Sequence, residues 1–311
     1  MPSDRHAATH LIFRPGTAAD LPHLHTIFLD SVWDLAWRIG IRDGERTPSA
    51  EERAANYLSW KPILEHLAAT GDQFWVAEDG GTLLGYARSI VRDNVRELTE
   101  CFVSLQAQTR GIGRELLTRT LPADTRHIYI IGTMDQRAQA LYHKMGIYQI
   151  CAIFTFSRKP ERLALPDNAM PNGLTIVPVT ADHIPLLAEL DLAIHGYRRD
   201  QDHAWLMTTR TGLLLLRQER PVGYGYVGGY SGPFVMLDKK DYPAALAHAE
   251  SIAASQGLET FGLDVPMLNR TAIAYLLGRG YQMSPFFCFY MCDAHPTNVD
   301  KTIVTGPMIM I

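Results

Sequence analysis

Val103-Ser-Leu-Gln-Ala-Gln-Thr-Arg-Gly-Ile-Gly-Arg-Glu-Leu-Leu117 compresses a strand end, a glycine turn and a helix start into fifteen residues. The core of it is Gln108-x-x-Gly111-x-Gly113. At such a junction several backbone N–H groups lack an intrahelical partner and converge where the helix dipole is positive, which is a place for a diphosphate. Glycine suits the turn because a Cβ there blocks close approach of an anion or demands a strained backbone. Read alone, the motif is equally a tight strand-to-helix turn, so the sequence around it has to decide.

Downstream, His127-Ile-Tyr-Ile-Ile-Gly132 is a short β-rich run. Asp135-x-x-Ala138-x-x-Leu141-Tyr142-x-x-Met145-Gly146 follows, with Ala138, Leu141, Tyr142 and Met145 on one helical face. Gly146 reads as the helix C-cap, and residues 147–157 as the next strand. On these residues the chain resembles the GNAT superfamily of acyl-CoA-dependent N-acyltransferases. The matching elements are Val103 at a strand end, Gln108, Gly111 and Gly113 in the loop, then Asp135, Ala138, Tyr142 and Gly146 along the helix, in the family's order and separation. Two positions depart from the usual pattern: Asp135 stands where Asn is common, adding negative charge near the expected cofactor, and Leu105 where Pro is common. The resemblance implies acetyl-CoA as co-substrate. Val103, Gln108, Thr109, Arg110, Gly111, Ile112, Gly113, Arg114, Asp135 and Ala138 are then its expected contacts; for Arg110 and Arg114 a solvated helix-start position is the alternative.

The chain has 311 residues, which suggests two domains. It is 47% apolar and 20% charged with a net charge of −4, so it lacks the basic footprint of a general nucleic-acid binder. No apolar run reaches the length of a membrane span. The first residues lack the apolar core of a secretory signal, and Cys101, Cys151, Cys288 and Cys292 form no disulfide framework. A cytoplasmic setting with reduced thiols is expected.

The sequence also repeats itself. Pro15-Gly-Thr-Ala-Ala-Asp-Leu-Pro22 is echoed by Pro178-Val-Thr-Ala-Asp-His-Ile-Pro185, and Asp135–Ile147 by Asn269–Tyr281. This predicts a tandem duplication of one α/β unit. The proline-rich connector Lys159–Gly173 places the boundary near 160–172. The domains are then 1–160, binding acetyl-CoA, and 173–292, a degenerate copy, with a tail from 293 to 311. The second copy lacks the glycine loop, carrying Phe234-Val-Met-Leu-Asp238-Lys-Lys-Asp241 instead, and it has Leu276 where the first has Tyr142.

Acyl transfer to an amine needs a base, because deprotonating an alkylammonium at pH 7 costs roughly 4–5 kcal/mol. Glu97 is the first choice and Glu100 the second, on opposite faces of one strand; a solvated strand carboxylate is the plain alternative for each. The resemblance implies that Tyr142 protonates the departing thiolate, whereas periodicity alone makes it a core tyrosine. Asp30 and Asp34, with Trp33 and Trp37, form adjacent acidic and indole stripes that suit a cationic amine or simply a packed helix. His203 is a polar contact candidate where the second domain faces the first. His23-x-His25 and the other histidines lack a tetrahedral ligand pattern, so no metal is expected.

The expected protein is an α/β (α+β) chain of two tandem GNAT-like domains, each a mixed, mostly antiparallel sheet flanked by helices. It would transfer acetyl from acetyl-CoA to a primary amine of a small molecule by direct attack. The second domain would complete the acceptor pocket or form a homodimer interface, and the apolar tail would be buried against the other domain or a partner chain. The rivals are a non-catalytic acyl-CoA sensor or scaffold, and an enzyme that acetylates a protein or peptide.

Overall fold

The structure is a computed structural model that describes residues 11–163 and 173–310. Most of the Lys159–Gly173 connector, the first ten residues and Ile311 lie outside the described residues. The chain divides into two compact units. One runs to Val91 and takes in Leu98–Thr125; the other consists of Arg92–Glu97 and the chain from Arg126 onward.

The first unit strings together β1 (Leu11–Pro15), α1 (Leu21–Arg38), α2 (Ala50–Thr70), β2 (Gly71–Asp79), β3 (Thr82–Arg92), the later part of β4 (Val95–Val103) and α3 (Ile112–Thr120). The strands lie side by side in that order. β1 and β2 pair antiparallel from Leu11 opposite Asp79 to Pro15 opposite Trp75. Gly80 and Gly81, both at positive φ, turn β2 into β3. Leu24, Ile27 and Phe28 of α1 recur at helical spacing and bury against Val76 and Tyr86 of the sheet. Ser49 starts α2 with a reciprocal cap: Glu52 N donates to its hydroxyl at 3.2 Å, and Ser49 N donates to the Glu52 carboxylate at 2.8 Å.

The second unit holds two antiparallel sheets. In the first, β12 (Gln282–Cys292) lies between β5 (His127–Thr133) and β6 (Tyr148–Arg158), and β6 also pairs with β11 (Phe261–Pro266). The closing strand of each sequence repeat is thus bound to strands of the other, so the boundary near 160–172 is not where the compact units part. In the second sheet the order is β13 (Thr302–Ile303), β10 (Phe234–Met236), β9 (Arg220–Val227), β8 (Thr211–Arg217) and β7 (Leu174–Pro178). Helices α5 (Ile184–Ile194), α6 (Asp200–Thr209), α7 (Tyr242–Ser255) and α8 (Arg270–Gly278) cover these sheets, and α4 (Gln136–Lys144) follows β5.

Local chemistry repeats with the sequence. Thr17 and Thr180 each cap a 3₁₀ turn ahead of a helix with proline in its first turn, α1 and α5 respectively. Asp135 caps α4 through Arg137 N at 2.9 Å, and Asn269 caps α8 through Ala272 N at 3.1 Å.

The tail is buried within its own unit. Val299, Ile303, Val304, Ile309 and Met310 are all core residues. β13 pairs with β10 through Phe234 opposite Ile303, and Val304 N donates to Asp264 O of β11 at 3.0 Å. The chain end therefore runs as an inserted strand between β10 and β11. No helix among the described residues is long and apolar enough to cross a membrane.

Candidate active site

The glycine loop is built from two left-handed residues. Thr109 has φ +68° and Gly111 φ +81°. A β-branched residue in that region is strained by about 1–3 kcal/mol, and such strain concentrates at functional loops; here the Thr109 hydroxyl donates to Gln108 O at 2.6 Å. Gly111 is the N-cap of α3, with no side chain capping the helix. The helix amide ladder includes Glu115 N to Gly111 O at 3.2 Å, so the amides of Ile112, Gly113 and Arg114 precede that bond. Among the described residues nothing lies within 4 Å of where a Gly111 Cβ would stand. Glycine is therefore required by backbone conformation, and the space over the turn is open.

The surroundings favour an anion. Arg110 and Arg114 are exposed, and among the described residues neither has a carboxylate partner. Glu115, the acid in the first turn, is paired to Arg119 at 2.8 Å. Ile112, Leu116 and Leu117 bury the opposite side of α3 and fix the loop. Gln108 donates from its amide to Val103 O at 3.2 Å, closing the loop back onto the end of β4.

The two candidate bases have different fates. Glu100 is 3% exposed, and both its oxygens are engaged: Tyr86 donates to Oε1 at 2.8 Å and Arg88 Nε to Oε2 at 2.8 Å, with Arg88 Nη2 on the same oxygen. Arg88 also donates to Leu64 O of α2 at 3.0 Å. Burial and the Glu100 charge hold the Tyr86 phenol well above its ordinary range. Glu100 is thus an internal tie between strand and helix rather than a base facing an acceptor. Glu97 is 7% exposed and belongs to the second unit. There Tyr197 and Tyr290 are held above the usual phenol range by burial first, with Glu97 adding to the effect.

Tyr142 lies on α4, 5% exposed, against β5. A Cβ on Gly132 would stand 2.8 Å from Met291 Sδ, 3.0 Å from Gln139 Nε2 and 3.4 Å from Tyr142 Cε2, so Met291 and Gln139 crowd that position more than the ring does. Ala138, one turn earlier, is half-buried. Asp135 spends its charge locally, capping the helix and binding the Arg137 guanidinium at 2.6 Å.

The acidic and indole stripe on α1 is occupied by the chain's own arginines. Asp34 is 1% exposed and holds Arg38 at 2.8 Å and Arg46. Burial opposes its ionisation, but the two guanidinium groups outweigh burial and keep the carboxyl below its ordinary value. Asp30 holds Arg53 at 2.8 Å, Arg42 lies 3.4 Å over the Trp33 ring, and Arg46 lies 5.3 Å from the centre of Trp37. A cationic acceptor would have to displace these groups.

His203 is a core residue, 1% exposed. It is buried in the second unit, with Nε2 2.8 Å from Asp191 and Nδ1 3.0 Å from the Tyr226 hydroxyl. Asp191 also binds Arg199 at 2.9 Å and the Tyr224 hydroxyl. His25 is likewise internal, 2.7 Å from Asn56. Among the described residues no group of three or more His, Cys, Asp or Glu is arranged to hold a metal.

At the second copy's counterpart of the glycine loop, Asp238 accepts from Lys240 N at 3.0 Å and Asp241 binds Arg217 at 2.5 Å. Tyr242 at the start of α7 donates to Lys301 O at 2.8 Å, and Asn269 donates to Thr302 O at 3.0 Å. Carboxylates and the tail strand fill the place where the first copy offers bare amides.

Residues Arg42, Arg46 and Arg88 were not expected at these sites. A signal for Arg88 exists: a two-residue turn at Asp93-Asn94, both at positive φ, sets Arg88 opposite Thr99, and Thr99 Oγ1 donates to Arg88 O at 3.1 Å.

Residues 70–146 match the model of an acetyltransferase (GNAT) domain. That segment, about a quarter of the chain, is similar to the GNAT acetyltransferase domain. An acetyltransferase candidate from Pyrococcus horikoshii superposes with a TM-score of 0.69 at 18% identity, covering 94% of this chain and 92% of its own. A GCN5-related N-acetyltransferase from Sphaerobacter thermophilus gives 0.57 at 16% identity over 93% and 97%. A tandem GNAT protein from the clavulanic acid biosynthesis pathway gives 0.52 at 16% over 91% and 97%. At these identities the likeness is one of fold, and the fold is that of tandem GNAT proteins. No curated protein matches the sequence.

Proposed function

We propose that this chain transfers acetyl from acetyl-CoA to a primary amine of a small molecule by direct attack, with one working cofactor site per chain. The observation that carries the reading is the α3 N-terminus: a turn at left-handed Gly111 that, among the described residues, has no side-chain cap and open space above it, flanked by Arg110 and Arg114 without carboxylate partners there. The cofactor diphosphate would accept from the amides of Ile112, Gly113 and Arg114, a charge-assisted arrangement.

The amine nitrogen then attacks the thioester carbonyl carbon, forming the C–N bond. Before that attack Glu97, directly or through water, takes a proton from the acceptor ammonium and frees the nitrogen lone pair; Glu100, whose oxygens hold Tyr86 and Arg88, is the second choice. As the C–S bond breaks, Tyr142 gives its proton to the thiolate. A phenol keeps that proton at neutral pH yet yields it to a developing anion. The second copy would be catalytically silent, since its helix start carries Asp238 and Asp241. A cytoplasmic setting suits four cysteines that all stand as free thiols.

The test is thiol release from acetyl-CoA, corrected for hydrolysis, over chemically diverse amines. Wild type should turn over at least one amine, and Tyr142→Phe should lose between tenfold and ten-thousandfold in rate while still binding acetyl-CoA. Acetyl-CoA uptake with no turnover on any amine would favour a sensor, and turnover confined to peptides would favour protein acetylation. Absence of uptake would end the proposal.

A further inference from the structure

The second unit carries an open cavity of about 280 Å³ that the acyl-transfer reading does not use. It lies beside the C-terminal end of α5 and the segment 294–299, and its surface is mostly polar. Tyr129 and Tyr290 stand behind the wall, 5% and 2% exposed, and belong to the core. The space falls just under the roughly 300–1,000 Å³ of drug-sized sites and suits a small hydrophilic ligand.

The hydrogen-bonding capacity of the wall decides the charge of that ligand. A helix end ordinarily turns free carbonyls toward a cation. Here they are taken: Leu192 O accepts from Gly196 N at 3.1 Å, Ile194 O from Asn298 Nδ2 at 3.2 Å and Gly196 O from Arg126 Nη2 at 2.7 Å. Donors are left over. Among the described residues no carboxylate pairs with Arg126, and its bond to Gly196 O leaves most of the guanidinium fork uncommitted. The carboxylate adjoining this wall is Asp293, 3.6 Å from His127 Nδ1, and its Oδ1 already accepts from Ile128 N at 3.0 Å.

His195 supplies a second donor, and the fold sets which nitrogen carries it. Burial, reinforced by the Arg199 charge, pushes the imidazole down to about 3, so it is neutral. Arg199 Nη2 lies 3.4 Å from His195 Nε2 and can only donate, which leaves the proton on Nδ1. Arg199 is held in turn by Asp191 at 2.9 Å and by the Tyr224 hydroxyl at 2.6 Å. Among the described residues Nδ1 has no hydrogen-bond partner, and His195 lines the cavity. A neutral N–H and a guanidinium thus share one polar space in which the helix-end carbonyls are filled. Unfilled donors in such a space call for an acceptor.

We infer that this cavity is a site for a small hydrophilic oxyanion, a phosphate or a short aliphatic carboxylate, held by Arg126 and the Nδ1–H of His195. A guanidinium fork matches either group in a bidentate pair. An ammonium meets no free carboxylate there, and a neutral diol forgoes the charge.

Calorimetric titration of the full chain with inorganic phosphate, malonate, ethylene glycol and ethylenediamine tests this. Phosphate or malonate should bind at least about tenfold more tightly than the glycol and the diamine, and the better of the two identifies the kind of anion. Arg126→Gln should weaken that anion about tenfold or more, with Arg126→Lys between it and wild type. His195→Gln keeps an acceptor for Arg199 but removes the cavity donor, and should also weaken it. His295→Glu, at an exposed position of the wall, sets a negative charge beside the ligand and should do the same. Gly111→Asn, at the separate anion position of the first unit, should leave this binding unchanged. The inference is overturned if neither anion binds, if the glycol or the diamine matches the better anion, or if Gly111→Asn removes the binding while the cavity variants keep it. It is also overturned if both Arg126→Gln and His295→Glu leave the affinity unchanged in protein with a wild-type melting curve. The titration contains no acetyl-CoA, so its outcome is separate from that of the acyl-transfer assay.

Discussion

Replacing Gly111 separates what the glycine does for the fold from what it does for the cofactor. The residue sits at φ +81° and ψ −5°, and no atom lies within 4 Å of a Cβ built there. Gly111→Ala therefore meets no steric clash, only the backbone penalty of an L-residue in the left-handed region, about 1–2 kcal/mol. That predicts a melting temperature lower by a few degrees. Gly111→Asn should melt close to wild type, because asparagine tolerates this conformation. Cofactor binding should not follow stability. Either side chain projects into the open space over the Ile112–Arg114 amides, where the diphosphate is expected. Losing one charge-assisted hydrogen bond of roughly 1.5–3 kcal/mol weakens binding about tenfold to a hundredfold. Calorimetry with acetyl-CoA reads this, and acetyl-pantetheine, which lacks the diphosphate, is the control that neither substitution should affect. If Gly111→Asn binds acetyl-CoA like wild type, or if acetyl-pantetheine suffers equally, the amide cradle is wrong.

Two more outcomes follow from the second unit. Burial raises the Asp264 carboxyl from 3.8 to about 6, against the hydrogen bond from Thr155 at 2.6 Å and the Arg210 charge. Below pH 3.8 both folded and unfolded forms hold the proton. Between 3.8 and 6 only the folded form does, so stability falls across that window by about 3 kcal/mol and levels off above it. Asp264→Asn should flatten this slope and be the more stable protein at pH 8 in urea melts; parallel pH curves for the two would exclude the assignment. Removing residues 293–311 deletes five buried apolar side chains, each contributing roughly 1.5–3 kcal/mol, and exposes the edge of β10. The truncated chain should unfold or aggregate, and an unchanged melting curve would contradict the inserted-strand role of the tail.

Much of the local structure was legible. The Gln108–Gly113 turn, the Asp135 cap and the strands on either side of α4 fall where residue spacing puts them. So do the paired capping threonines of the two repeats. These features depend on neighbours within a turn or two. Of the expected apolar face of α4, by contrast, only Tyr142 is buried; Ala138 and Leu141 are half-buried, Met145 is exposed and Gln139 is buried instead. The chemistry of individual side chains was less legible. Asp34 and Arg38 are one helical turn apart and readable as a pair, yet Arg46, from the segment beyond the helix, decides that Asp34 is saturated. Glu100 and Glu97 look alike in sequence; the placement of Arg88 and Tyr86 on the two oxygens of Glu100 is what marks it as an internal tie.

By itself, the sequence determined a repeated α/β unit with a glycine turn before a helix in the first copy and a carboxylate-bearing counterpart in the second. Backbone conformation and side-chain periodicity are set over a few residues, which is why they survive in a linear reading. Tertiary structure alone decided that β12 inserts between β5 and β6, that the tail becomes a strand between β10 and β11, and that His203 belongs to a buried Asp191 network. Those arrangements join residues far apart in the chain, and their free energy comes from burying and pairing groups that leave no local trace of their partners.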